Sequence, residues 1–122
     1  MAHYDLITAK RMLESRRFVY VIFMCHLAIE KALKAIVSIE TKKVPPKTHD
    51  LIYLVSLGKV HLHLGDELLD YIGKINNASV VTRYPEDLKS LIKNYPKKVA
   101  EEYFTLTQKV FKCLKQDKRL KL

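Results

Sequence analysis

Three residues set four apart, His26, Glu30 and Lys34, interrupt the most apolar stretch of the chain. In a helix that spacing stacks an imidazole, a carboxylate and an ammonium on one face. A polar stripe of this kind has to face water, a cleft or polar partners. Against a nucleotide groove, His26 or Glu30 would accept a proton and Lys34 would hold a phosphate. Against water, Glu30 and Lys34 form an exposed pair worth about 0.3 kcal/mol. Arg83 and Tyr84 are a second candidate pair. A guanidinium beside an aromatic ring offers bidentate phosphate binding and a surface on which a base can stack. The competing role for Arg83 is to tie an irregular segment to a helix end or a carboxylate while Tyr84 packs inside. Pro85 biases Tyr84 toward extended backbone, so the triplet is expected to form a rigid non-helical corner.

The remaining titratable residues are less informative. His49 and Asp50 suggest an acid–base or metal pair, but a helix start explains Thr48 and Asp50 without a ligand. His61 and His63 would share a face if extended, whereas a metal site needs three or four ligands and nothing in the sequence marks the others. No metal and no cofactor are expected. The chain has no Gly-rich phosphate loop, no Gly-x-Ser-x-Gly turn and no Cys-x-x-Cys, so the signs of a self-sufficient enzyme are missing. Cys25 and Cys113 lie within apolar helical patterns, which argues against a disulfide framework and fits a reducing, cytoplasmic setting.

The elements that must position these residues read as helices. Ala2, Leu6, Ala9 and Leu13 recur at helical spacing and predict a first helix from Ala2 to Glu14. Phe18 to about Ile39 is the longest candidate, and its first half is apolar enough to demand burial nearly all round. Pro45 and Pro46 turn Glu40 to Lys47 into a basic loop. Thr48 can then cap a short helix over Asp50 to Leu57, with Gly58 ending it. Leu64, Leu68, Tyr71, Ile72 and Ile75 predict a fourth helix, capped by Asp66 and ending at Asn76 and Asn77. Val80 to Asn94 has only weak periodicity and is expected to be irregular with room for one helical turn. Pro96 suits the first position of a last helix with the stripe Val99, Tyr103, Leu106, Val110 and Leu114. The Lys-rich tail from Gln116 to Leu122 is expected to fray.

At 122 residues, with 48% apolar and 29% charged, the chain can enclose one core and wet its surface, which predicts a single domain over residues 1–122. Only three glycines and four prolines leave too few turns for a β-sandwich or barrel. The expected fold is all-α, an antiparallel up-and-down bundle of four to five helices. The apolar run Phe18 to Cys25 is too short to span a bilayer and no signal peptide precedes it, so no membrane association is expected. Twenty-two Lys and Arg against 13 Asp and Glu leave +9, which attracts polyanions or an acidic partner, or simply solvates the surface.

Three segments resemble one known family. Leu27-Ala28-Ile29-Glu30-Lys31-Ala32-Leu33-Lys34-Ala35 is similar to the second-helix signature of HEPN domains, Ala-x-Glu-Lys-x-Leu-Lys-Ala. Lys47-Thr48-His49-Asp50-Leu51 is similar to the family's Thr-His-Asp-Leu, and Arg83-Tyr84-Pro85 to its Arg-Tyr-Pro, in the same order. The resemblance implies a helical bundle that pairs as a homodimer. It also implies a partner, since many members act with a minimal nucleotidyltransferase in two-component systems of the toxin–antitoxin kind. The ribonuclease branch of the family uses an Arg followed by a His after four to six residues. Here Arg83 is followed by Tyr-Pro-Glu-Asp-Leu-Lys-Ser, and no histidine occurs beyond His63. This departure argues for a non-catalytic protein that binds nucleotide or RNA through Arg83, Tyr84, His26, Glu30, Lys34 and His49. The alternatives are a divergent metal-independent ribonuclease in which His26 or His49 replaces the missing histidine, and a purely structural helical dimer.

If Arg83 binds phosphate, Arg83→Ala weakens nucleotide or RNA binding by about 1–3 kcal/mol with the fold intact. Arg83→Lys restores only part of it, because an ammonium lacks the planar fork. Unchanged affinity with a large fall in melting temperature would make Arg83 a structural clamp.

Overall fold

In the computed structural model the described residues are 2–83 and 95–117, and they form five helices. These are α1 (Ala2–Glu14), α2 (Phe18–Thr41), α3 (Leu51–Gly58), α4 (His61–Arg83) and α5 (Lys97–Lys115). The architecture is the expected helical bundle, organised around α2, which packs against each of the other four helices. The reason is its composition: Val21, Ile22, Cys25, Ala28, Ile29, Ala32, Leu33, Ile36 and Val37 are all buried, an apolar arc too wide for one neighbour to cover. Burial is nonetheless incomplete. Tyr20 is 59% exposed, and Phe23, Met24 and Leu27 are half-buried. The expectation that the first half of α2 is enclosed nearly all round therefore fails along one edge.

α1 and α2 are joined by a tight turn in which Arg16 adopts a left-handed conformation (φ 63°). The Arg16 amide donates to the Leu13 carbonyl and the Arg17 amide to the Met12 carbonyl, the two bonds that close a Schellman motif. Lys59 (φ 53°) ends α3 in the same way, its amide donating to Ser56 and that of Val60 to Val55. Lys42, the residue after α2, is left-handed too (φ 57°). Gly58 sits one residue earlier than a left-handed cap. Its role is close approach, since a Cβ there would lie 3.3 Å from Ile36 Cγ2 and 3.5 Å from Val37 Cγ2.

Several boundaries differ from expectation. Asp50, not Thr48, caps α3, accepting from the Ile52 and Tyr53 amides, while the Thr48 hydroxyl accepts from the Asp50 amide. α4 starts at His61 rather than at Asp66, and Gly65, left-handed at φ 75° and ψ 169°, breaks it just before Asp66. α4 does not stop at Asn76 and Asn77 but runs on to Arg83, so Val80 to Arg83 make up one helical turn at the start of the segment expected to be irregular. Asn76 has a task that overrides its poor helix propensity: its amide accepts from the Leu51 amide and donates to Asp50 Oδ1. Pro96 is the residue before α5, not its first turn. The buried face of α5 is Ala100, Tyr103, Phe104, Thr107, Val110, Phe111 and Leu114, with Val99 and Leu106 at its margins. Asp117, placed in the fraying tail by sequence, is 4% exposed and lies 3.9 Å from His63.

Where α2, α4 and α5 meet, the core holds a polar chain. The Tyr71 hydroxyl donates to the Tyr103 carbonyl at 2.9 Å, so at 2.7 Å it accepts from the Thr107 hydroxyl. The two tyrosine rings meet edge to face at 5.5 Å, a favoured aromatic arrangement. Cys25 is fully buried, and desolvation pushes its thiol up to about 12. A thiol held protonated is a poor nucleophile. Cys113 is half-buried. A thiol reagent is therefore expected to modify Cys113 on the native protein and to reach Cys25 only after denaturation, which mass spectrometry of the alkylated chain reads directly.

The Asp50–Asn76 contact fixes the α3 start to the middle of α4. Asp50→Ala is expected to cost about 1–2 kcal/mol, the range for losing an N-cap, and to lower the melting temperature accordingly. Asn76→Ala should cost a comparable amount and the double change less than the sum, because both residues serve one hydrogen-bond cluster.

Candidate functional site

The polar stripe of α2 meets polar partners. Glu30 is only 5% exposed, and three cations or potential cations surround its carboxylate. Lys34 Nζ lies 3.1 Å from Oε2. His49 Nδ1 donates to Oε1 at 2.8 Å, and His26 Nδ1 stands 3.7 Å from the same oxygen. His26 Nε2 donates to the His49 backbone carbonyl at 3.0 Å. Glu30 thus binds the His49 ring while His26 binds its main chain, and the Pro-containing loop is fastened to α2 at one point.

The local sequence explains this geometry. α2 ends at Thr41, eleven residues beyond Glu30, so the chain has to return about 16 Å to place His49 beside it. Pro45 and Pro46 keep the returning segment from extending α2, and a turn closed by the Thr48 amide on the Pro46 carbonyl at 2.9 Å aims His49 at the stripe. Lys31, one residue after Glu30 and therefore about 100° around the helix, reaches the other way to Asp5 on α1 at 2.6 Å. Asp5 is 5% exposed.

Burial alone would push the Glu30 carboxyl up. Hydrogen bonds from His49 and Lys34, and their charges, more than offset that and hold it below its ordinary value of 4.5. The carboxylate is therefore ionised under all but strongly acidic conditions, and His49 carries its proton on Nδ1. The side-chain exposures divide the cluster: His26 is fully buried, Lys34 is 23% exposed and His49 is 63% exposed. His26 is sealed inside the bundle, where it anchors the loop. Lys34 and His49 are the members that reach solvent.

The other candidate pair is placed only in part. Arg83 is the last residue of α4, at a helix end rather than in a non-helical corner; its side chain, together with Tyr84 and Pro85, lies outside the described residues. Asp50 acts as the cap of α3, one position before the first turn in which the sequence placed it. The link between His49 and Glu30 was not legible, since nineteen residues and a chain reversal separate them; the one available signal was that a polar stripe requires a polar partner. A second concavity, an open groove of about 830 Å³ between α4 and α5, is lined by Glu67, Asp70, Lys74, Glu101 and Lys109 among others. None of the candidate residues whose side chains are described lines it. Among the described residues, no group of three His, Cys, Asp or Glu side chains is arranged to hold a metal, and no helix is long and apolar enough to cross a membrane.

Because the folded-state pKa of Glu30 is lowered, its stabilising effect is fully present above about pH 4.5 and is lost as pH falls through the lower folded value. Denaturant titrations at falling pH should show this loss, and Glu30→Gln should flatten it while lowering stability near neutrality by about 1–3 kcal/mol.

Residues 1–117 match the HEPN domain family. No curated protein and no solved structure matches the chain.

Proposed function

The chain belongs to the HEPN domain family, and from that membership we propose that it is a non-catalytic binding protein. It works as a homodimer beside a minimal nucleotidyltransferase in a two-component system of the toxin–antitoxin kind, in the cytoplasm, and takes nucleotide or RNA at the solvent side of the Glu30 cluster. The observation that carries the proposal is the division within that cluster. A buried, ionised carboxylate holds two donors, Lys34 and His49, at the surface, where an ammonium and an imidazole suit phosphate oxygens. Arg83 and Tyr84, the pair suited by chemistry to phosphate binding and base stacking, are the further contacts this reading assigns. The half-buried edge of α2, with Tyr20, Phe23, Met24 and Leu27, supplies an apolar strip for the second copy.

The test is binding by the purified protein. Labelled RNA or nucleotide should bind with an affinity that falls as salt rises, since a chain of net charge +9 releases counterions from phosphate. Joint replacement of Lys34 and His49 by Ala should weaken that binding by about 2–4 kcal/mol if each contributes one charge-assisted contact. Light scattering should report twice the 14.2 kDa of the monomer, and a co-expressed nucleotidyltransferase from the neighbouring gene should co-purify. A monomer that binds neither RNA nor nucleotide at low salt overturns the reading.

A second reading, a metal-independent ribonuclease, is favoured by one observation: Glu30 orients the exposed His49 ring as a carboxylate orients a general base. His26 is too deeply buried for that part. RNA cleavage in EDTA that disappears in His49→Ala would establish it.

A further inference from the structure

The Glu30 cluster anchors one end of a loop that carries several exposed side chains. Between the α2 C-terminus and His49, the side chains of Lys42, Lys43 and Lys47 are exposed, and none of the three pairs with a carboxylate among the described residues. Lys59, by contrast, reaches Glu40 at 3.4 Å. Val44, between Lys43 and Lys47, is 90% exposed, the most exposed of the large apolar side chains among the described residues. The segment is held in shape from both sides. Lys42 is fixed in left-handed backbone, Pro45 and Pro46 are half-buried with their φ angles locked, the Thr48 amide closes on Pro46, and His49 is fastened to His26 and Glu30. A valine so displayed loses nothing by being covered, and a preorganised loop loses little conformational freedom on binding.

We propose that Lys42, Lys43, Val44 and Lys47 form a docking epitope for an acidic protein surface, one that presents carboxylates around a small aliphatic pocket. Charge complementarity selects the occupant: three exposed lysines that pair with no carboxylate among the described residues attract an anionic surface and steer its approach. The side-chain chemistry then separates protein from nucleic acid. Single-stranded nucleic acid is held by aromatic or guanidinium planes that stack on bases, and residues 42–47 contain neither an aromatic residue nor an arginine. An aliphatic tip between point charges gives a base nothing to stack on, but it fits a hydrophobic pocket with a polar rim. The epitope stands on this geometry alone and does not depend on nucleotide binding at Lys34 and His49.

A random peptide display library selected against the full chain is the probe. Recovered peptides are expected to be rich in Asp and Glu around an aliphatic residue. Synthetic versions should bind roughly tenfold more weakly to Val44→Ser, and at least as weakly to a variant with Lys42, Lys43 and Lys47 all changed to Ser. Both variants should keep the parental melting temperature, because every changed side chain is exposed. Lys109→Ala, in the groove between α4 and α5, should leave peptide binding unchanged, which separates this epitope from general surface charge. Peptides without acidic excess, or affinity indifferent to Val44, would overturn the proposal. So would an oligouridylate or a phosphatidylglycerol vesicle whose binding, and not that of the peptides, is lost in the loop variants, since the loop would then serve nucleic acid or lipid.

Discussion

The carboxylate of Glu30 is the constraint on which the arrangement of the other parts depends. A charge this buried is tolerated only with partners that satisfy both oxygens, and those partners come from two places. Lys34 is local, one turn along the same helix. His49 is not, and recruiting it forces the chain to double back along α2 before α3 can start. Asp50 and Leu51 follow at once, and through them Asn76 ties α3 to α4. One ionised group thus sets where the loop lands, where the third helix begins and at what height the fourth helix crosses it.

The next residue extends the same logic to the opposite flank. Glu30 and Lys31 project from adjacent positions of α2 toward different neighbours, the one holding the loop and the other holding Asp5 of α1. The apolar arc of α2 supplies most of the driving force for assembly, but apolar contact is non-directional and tolerates sliding. Paired charges tolerate it poorly. The Glu-Lys dipeptide of the family signature can therefore be understood as a register device, one that fixes two segments against a central helix whose remaining contacts are largely greasy.

Much of the fold was legible because helix periodicity is a local signal. The extents of α1 and α2, the stop imposed by Pro45 and Pro46, and the apolar residues of α4 and α5 all follow from spacing within one segment. The misreadings occurred where a distant partner overrides a local preference. Asn76 and Asn77 look like a helix end because asparagine competes with the helical backbone, yet Asn76 earns its place by bonding the α3 start. At the site, the α2 stripe and the Thr-His-Asp-Leu segment were each visible, but their union was not, since the return of the loop is decided by tertiary packing. His26 was grouped with Glu30 and Lys34 by period alone, and period does not tell a buried position from one at the rim.

The three left-handed turn residues carry a different lesson. Arg16, Lys42 and Lys59 occupy backbone regions where a side chain costs about 1–2 kcal/mol relative to right-handed conformations and where glycine is the residue most often found. The chain spends its three glycines elsewhere and puts a cation at each of these corners. Part of this is electrostatic, because a positive charge favours the negative end of a helix dipole. The result is that positive charge is concentrated at the bundle's turns, where helices reverse, rather than spread evenly over helix flanks. Relieving the strain with glycine would also discharge those corners, so backbone comfort and surface potential in this protein cannot be optimised independently.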